Sequence, residues 1–430
     1  MPDSQPQEPA EHDRGAAPGT TALLLCNARL ADGRTVDVRI GGGRIEAVGA
    51  AGGVPPPPAS RPPSRTVRVD LTGYLLLPAP AEPHAHYDTA LTADPGHAPP
   101  PDASRGPCDP RRVQRRAAEA ALLQLSHGAT ALRTHVRVGD AAGLRVLDAV
   151  LRARRALRGL ADLGVVAVPG VLTGTAGTDG LAVLREAVEM GAEAVGGRPD
   201  LDPDPAGHLE AVLAVAAEYG RAVDLHVRGG EPARLARFAA LAGGLPAGVV
   251  IGPCDGLARL PHRVAARTAE ALAASGITVV CLPQGGCGML RVRHTTPVRL
   301  LEAAGVRVAA GGGALRDTAN PVGRGDPLEA AHLLVSRDRA RPEAAYEAVS
   351  TRARQALGLP PARIEAGSPA ELLAVRGDTL AGALSLAYSR LVVHRGRVVA
   401  RTSAVREYCD PVGAADGRTA EPGLPRQSQR

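Results

Sequence analysis

Between about residues 84 and 313 the chain alternates short apolar runs with segments of helical periodicity, and this repetition limits the fold more than any other feature. The first run ends at His84 and His86; the others span 130–138, 164–172, 192–198, 222–228, 248–254, 277–284 and 306–313. Helical spacing of apolar residues fills the intervals, at 111–126, 141–158, 180–190, 207–219, 231–242, 261–275 and 296–304, with a further helix at 346–357. Strand–helix repeats require parallel strands, because the helix carries the chain back to the same end of the sheet. Eight such units over roughly 250 residues predict a closed (β/α)₈ TIM-type barrel. An open doubly wound sheet would need another nucleotide logic, and no glycine-rich dinucleotide fingerprint is present.

Strand-like text of a different kind flanks this region. On the N-terminal side, runs at 22–25, 35–40, 44–48 and 66–70 alternate apolar and polar residues between the turn signals Asp32-Gly33 and Gly41-Gly42-Gly43. On the C-terminal side, similar runs occur at 372–375, 390–394 and 397–401. These strands are expected to pair into a small β-sandwich domain composed of residues 21–77 and 360–402, with the barrel over 78–359. Residues 1–20 and 410–430, rich in Pro, Gly and charge without periodicity, are expected to be disordered, and a Pro-rich loop covers 55–63.

Composition narrows the chemistry. Hydrophobic residues make up 44% and charged residues 22% of the 430, as in a water-soluble globular protein. All 50 basic residues are arginine, since the chain contains no lysine; Schiff-base chemistry and a carbamylated lysine bridging two metals are therefore excluded. The net charge of +6 is dispersed through helical segments without interleaved aromatics, which argues against a nucleic-acid partner. The six cysteines (Cys26, Cys108, Cys254, Cys281, Cys287, Cys409) form no C-x-x-C pair. With no signal-peptide pattern and no apolar run of about 18 residues, the expectation is free thiols, a cytoplasmic location and no membrane.

In a TIM-type barrel the chemistry gathers at the C-terminal ends of the strands. Those ends carry His84 and His86; Thr134 and His135; Pro169 and Gly170; Gly197 and Arg198; His226 and Arg228; Pro253 and Cys254; Gln284; and Gly313. His84 and His86 are spaced i, i+2, so in a strand both imidazoles leave the same face and can share a metal ion. The spacing alone is weak: 12 histidines in 430 residues give about 0.3 such pairs by chance. What strengthens it is a buried-type strand running into the pair and His226 at another strand end. Three neutral imidazoles plus a water form a known hydrolytic zinc arrangement, in which the metal lowers the water's pKa to about 7. His84, His86 and His226 are thus the candidate metal ligands.

The residues Glu82-Pro83-His84-Ala85-His86-Tyr87-Asp88, Arg133-Thr134-His135-Val136, Asp224-Leu225-His226, Leu282-Pro283-Gln284 and Asn320-Pro321-Val322-Gly323 resemble the amidohydrolase superfamily, within it the cytosine deaminase-like branch. The resemblance runs through most of residues 21–402. It implies a barrel flanked by β strands, one bound Fe²⁺ or Zn²⁺, and hydrolytic deamination of cytosine or a related nitrogen heterocycle. It also implies that His84, His86 and His226 are ligands of that metal.

Departures from the family pattern cluster at its acid–base positions. By the resemblance, the strand-8 aspartate aligns with Gly313, the glutamate three residues after the strand-5 histidine with Gly229, the strand-6 histidine with Pro253, and the glutamine after strand 3 with Gly170. Each well-placed acid or base contributes about 10²–10⁴-fold, so ordinary deamination should be crippled. Cys254, Asp255, Asp317 and Glu231 lie near enough in sequence to be weighed as replacements. Loss of acids beside Arg137, Arg198, Arg228 and Arg316 predicts a positive mouth, and the Gly311-Gly312-Gly313 turn an anion cradle. Gln284, Arg228 and Arg316 are the candidate substrate-binding residues. Two readings follow: a metal-dependent hydrolase of heterocyclic C–N bonds with a reduced site, or an inactive homologue that binds a small molecule or serves assembly, self-association being left open.

Overall fold

The computed structural model describes residues 22–54, 66–93, 109–242, 245, 248–285 and 294–404. The segments expected to be disordered and the Pro-rich loop fall outside that range, as do Cys108, Cys287 and Cys409.

Five strands precede the barrel: β1 (Ala22–Arg29), β2 (Thr35–Gly41), β3 (Arg44–Ala50), β4 (Thr66–Asp70) and β5 (Tyr74–Pro78). The barrel strands are β6 (Ala81–Ala85), β7 (Ala131–Arg137), β8 (Asp162–Val168), β9 (Ala194–Gly197), β10 (Ala222–Val227), β11 (Val249–Pro253), β12 (Thr278–Cys281) and β13 (Arg307–Ala310). Three more follow: β14 (Leu372–Arg376), β15 (Arg390–His394) and β16 (Arg397–Thr402). The helices are α1 (Pro110–Ser126), α2 (Ala141–Ala156), α3 (Gly174–Glu189), α4 (Pro205–Glu218), α5 (Pro232–Ala242), α6 (His262–Ala274), α7 (Val298–Ala303), α8 (Pro327–Asp338), α9 (Pro342–Val349), α10 (Thr351–Ala356) and α11 (Leu380–Leu386).

Strands β6 to β13 pair in sequential order, all parallel. A parallel bridge between Ala85 and Gly313 brings the continuation of the last strand to the first, so the barrel closes beside His84. Aspartate side chains start four of the helices: Asp109, Asp140, Asp204 and Asp326 each accept from a first-turn amide. In three of them proline follows at once, at Pro110, Pro205 and Pro327, where its missing N–H costs nothing and its φ is already helical.

The flanking strands join one mixed sheet in the order β16-β15-β14-β5-β1-β2-β3, with β4 branching from β1. Both faces of its central strands are buried, which explains apolar runs that do not alternate. Leu75 and Leu77 pack into the barrel's core while Leu76 packs into the sheet's own; Leu373 and Val375 against Leu372 and Ala374 repeat the division.

Element boundaries depart from expectation where proline and glycine intervene. β8 stops at Val168 rather than Leu172 because Pro169 has no N–H for the ladder, and β12 stops at Cys281, ahead of Pro283. β13 ends at Ala310, ahead of three glycines. The expected helix at 346–357 is two helices, α9 and α10, broken at Ser350. Helix α8 was not expected, although Asp326-Pro327 repeats the start signal of α1 and α4.

Candidate metal centre

Four imidazoles converge at the C-terminal mouth: His84 on β6, His86 just beyond it, His135 on β7 and His226 on β10, with one nitrogen from each lying within 4.8 Å of all the others. The rings of His84, His135 and His226 form a compact triangle, with centroids 4.1, 4.6 and 4.7 Å apart. His86 stands slightly apart from it, at 5.0–5.4 Å. Its Nε2 lies 3.1 Å from Nε2 of His226.

The arrangement follows from the two-residue period of strands. Glu82, His84 and His86 fall at alternate positions of one strand, Arg133, His135 and Arg137 of the next, and Asp224, His226 and Arg228 of a third. Charged residues form a layer beneath the imidazoles: Arg133 Nη1 is 3.1 Å from Asp224 Oδ2, and Asp224 Oδ1 is 3.1 Å from His135 Nε2 without being aligned for a hydrogen bond. Arg133 also donates to the carbonyl of Ala356. His135, already placed at the end of its strand by the sequence, is the residue that the expected ligand set of His84, His86 and His226 left out. Its place two residues after Arg133, as His226 stands two after Asp224, is the signal that marks it.

Burial dominates the electrostatics. It pushes His86 down to about 3 and His84 and His226 well below the ordinary 6.5, with repulsion from His135 and from one another adding to it. Burial raises the Glu82 carboxyl to about 8 against the opposing amides of His84 and Gly312. Neutral imidazoles are what a metal needs as ligands. Nδ1 of His226 is buried with no hydrogen-bond partner among the described residues. Two ligand nitrogens of a tetrahedral zinc, at about 2.0–2.1 Å from the ion, lie about 3.3 Å apart, close to the His86–His226 spacing. The four residues fit a single divalent ion.

The positions aligned with the family's acids and bases lie around this cluster without supplying one. Gly313 sits beside His84, donating its N–H to the His84 carbonyl at 3.0 Å, with φ +70°. Gly229, at φ +78°, faces Leu235, Leu257 and the Cα of Cys254. Pro253 follows a cis peptide bond, and Cys254 adopts a left-handed backbone with its thiol raised by burial. Of the replacements weighed, Asp317 is consumed by the amides of Ala319 and Asn320 and the hydroxyl of Thr89, and Asp255 pairs with Arg228 at 2.6 Å. Glu231 is exposed.

The anion cradle expected at Gly311-Gly312-Gly313 is not formed. The three amides donate to the Cys281 carbonyl, the Glu82 carboxylate and the His84 carbonyl, so none is left for a ligand. The mouth is less positive than its arginines suggest, because Arg137 pairs with buried Asp88 at 3.2 Å as Arg228 does with Asp255. Gln284 lies three residues beyond the end of β12 and spends its amide N–H groups on the Asp326 carbonyl and Glu329. Arg316 holds a left-handed backbone at φ 46°, its carbonyl accepting from Ala93 N. Among the described residues Cys26, Cys254 and Cys281 are free and buried, and no helix is long and apolar enough to cross a membrane.

A model of the amidohydrolase family matches residues 108–400. Pterin deaminase from Rhizobium rhizogenes is 28% identical over 379 residues, covering 80% of this chain and 85% of that protein. Among solved structures, N-isopropylammelide isopropylaminohydrolase from Burkholderia multivorans superposes with a TM-score of 0.76 at 29% identity, over 90% of this chain and all of that one. The 5-methylcytosine deaminase of Klebsiella pneumoniae has the same fold, with a TM-score of 0.76 at 23% identity, 90% of this chain and 100% of that chain being covered.

Proposed function

The chain belongs to the amidohydrolase family, in its deaminase-like branch, and from that premise we propose that it is a metal-dependent hydrolase of a C–N bond in a small nitrogen heterocycle, working with a reduced acid–base set. The observation that carries this is the convergence of four imidazoles at the barrel mouth, His84 and His135 buried and His86 and His226 half-buried, with His84, His86 and His226 held neutral by their surroundings. His84, His86, His135 and His226 would hold one zinc or iron ion, with Asp224 and Arg133 behind His135 fixing its ring. When bound, such an ion polarises substrate and lowers the pKa of water. The chain's own share is to hold His84, His86 and His226 neutral and to keep Asp88 and Arg137 paired at the rim.

A second reading, a ligand-binding homologue without turnover, is favoured by one observation. Gly229 and Gly313, where the resemblance places carboxylates, occupy left-handed backbone that favours glycine over an acidic side chain. Metal content and turnover separate the readings. Protein purified without chelators should carry about one Zn or Fe per chain. His135→Ala should weaken metal retention by about 10–100-fold, the cost of losing a group that ligates or orients, and His84→Ala or His226→Ala should weaken it more. Hydrolysis of any member of a pterin, pyrimidine and aminotriazine panel, abolished in His226→Ala, supports the hydrolase. A metal-loaded protein inert on the whole panel supports the binding homologue, and a folded protein that takes up no metal defeats both uses of the cluster.

A further inference from the structure

A cavity of about 570 Å³ opens at the end of the barrel opposite the imidazoles. It is framed by the first residues of β7 and β8, the end of α2, the residues after α10 and the β15–β16 turn. Its charged lining is Arg133, Arg154, Arg158 and Arg395 against Asp162 and Glu193, with Asp224 behind the lining paired to Arg133. Arg154 is committed to Glu193 at 2.6 Å and Arg395 to Asp162 at 2.7 Å. Arg158, at the rim, makes no ion pair or side-chain hydrogen bond among the described residues. The floor is apolar, from Leu163, Leu357 and Leu359.

Arg133 apart, this lining does not reach the imidazole cluster, which lies at the other end of the strands. Nor do barrels of this kind ordinarily place function here, since the N-terminal face is the one that carries stability. Structural ion pairs account for Arg133, Arg154 and Arg395, but not for Arg158, which brings a fourth guanidinium to the rim of the cavity. The volume lies within the range of small-molecule sites and is far more than one phosphate group fills. Guanidinium groups are the side chains best shaped to hold phosphate oxygens two at a time. Arg133 is shared: its Nη1 also holds Asp224, so two ion contacts join the cavity to the imidazole layer.

We propose that this cavity is a binding site for a small phosphate monoester, its phosphate met by Arg158 with Arg154 and Arg395 beside it, and its organic body seated on the leucines. The site is separate from the metal centre and does not depend on the hydrolase reading.

The test is calorimetric titration of the full chain with adenosine 5′-monophosphate and, in parallel, inorganic phosphate at constant ionic strength. The nucleotide should bind once per chain, and Arg158→Glu should weaken it by at least tenfold. Arg158 has no partner to lose, so this variant should keep the wild-type fold and Tm. Arg154→Ala, checked by circular dichroism, should weaken binding as well, whereas His84→Ala/His86→Ala should leave it unchanged. Three results would overturn the proposal: no saturable binding of the nucleotide, binding that survives Arg158→Glu, or binding abolished by the histidine changes. Inorganic phosphate binding as tightly as the nucleotide would overturn the part of it that calls for an organic body.

Discussion

Gly313 shows how a single position limits this site. It lies where the family resemblance places an aspartate, next to His84, yet its φ of +70° belongs to glycine. A Cβ there would come within 3.2 Å of Leu282 Cδ1 and 3.3 Å of the Gly285 carbonyl. Gly313→Asp should therefore cost about 1–2 kcal/mol, the penalty of a left-handed backbone for an L side chain. It should not create or raise turnover, because the carboxylate would leave a backbone of the wrong hand. Urea unfolding together with the substrate panel checks this; a gain of turnover without loss of stability would show that the turn relaxes. Glu82 is a second residue whose role depends on glycine. A Cβ on Gly311 would lie 2.5 Å from its Oε1, so that glycine leaves the room a buried carboxyl occupies.

Among the elements, α8 helps tie the sheet to the barrel through its cap. Asp326 caps it, accepting from Leu328 N at 2.9 Å, and its carboxylate also binds Arg390 of β15 through both oxygens, at 2.8 and 2.6 Å. Arg390 further donates to the carbonyls of His127 and Ala387, so one guanidinium spans α1, α8, α11 and the sheet. Both side chains are almost fully buried, at 5% and 2% exposure. Removing one partner leaves the other charge without compensation, which typically costs about 3–5 kcal/mol. Arg390→Met is expected to destabilise by that amount in chemical denaturation. Asp326→Asn, which keeps a capping oxygen, should lose the ion pair and retain most of the cap. A cost below about 1 kcal/mol for Arg390→Met would mean that the pair is not the tie between the two units.

For the whole molecule, the imidazole cluster sets a dependence on pH. His86, His84 and His226 bind protons less readily folded than unfolded. Between pH 6.5 and about 3 the unfolded chain therefore holds more protons, and stability rises with pH across that window. It is fully present above 6.5 and declines as pH falls, by up to about 1.4 kcal/mol per unit for each imidazole that resists protonation. Metal-free protein should show a Tm that drops steeply from about pH 6.5 to 4.5, and the double variant His84→Gln/His226→Gln a flatter profile. Parallel profiles would mean that the cluster is not what governs acid sensitivity. Added zinc should steepen the loss further, since protons then displace a ligand that stabilises the fold.

The parallel barrel, a small β unit from the flanking strands (expected as a sandwich, found as one mixed sheet) and the histidines at strand ends were legible in the sequence because they rest on short periods. Two residues per strand repeat place His84 with His86, and helical spacing with Asp-Pro starts marks the crossovers. That the resemblance places carboxylates where this chain has Gly229 and Gly313 is likewise an expectation from sequence alone, since it needs no geometry. Tertiary structure decided the rest. That His135 completes a four-imidazole cluster depends on the stagger of β6, β7 and β10, which no single strand encodes. That the glycine turn binds no anion depends on Glu82, 230 residues away, having taken its amide. That Arg390 reaches Asp326 depends on how the sheet seats against the barrel. Local pattern fixes which face a side chain takes, whereas its partner is set by contacts between segments far apart in the chain.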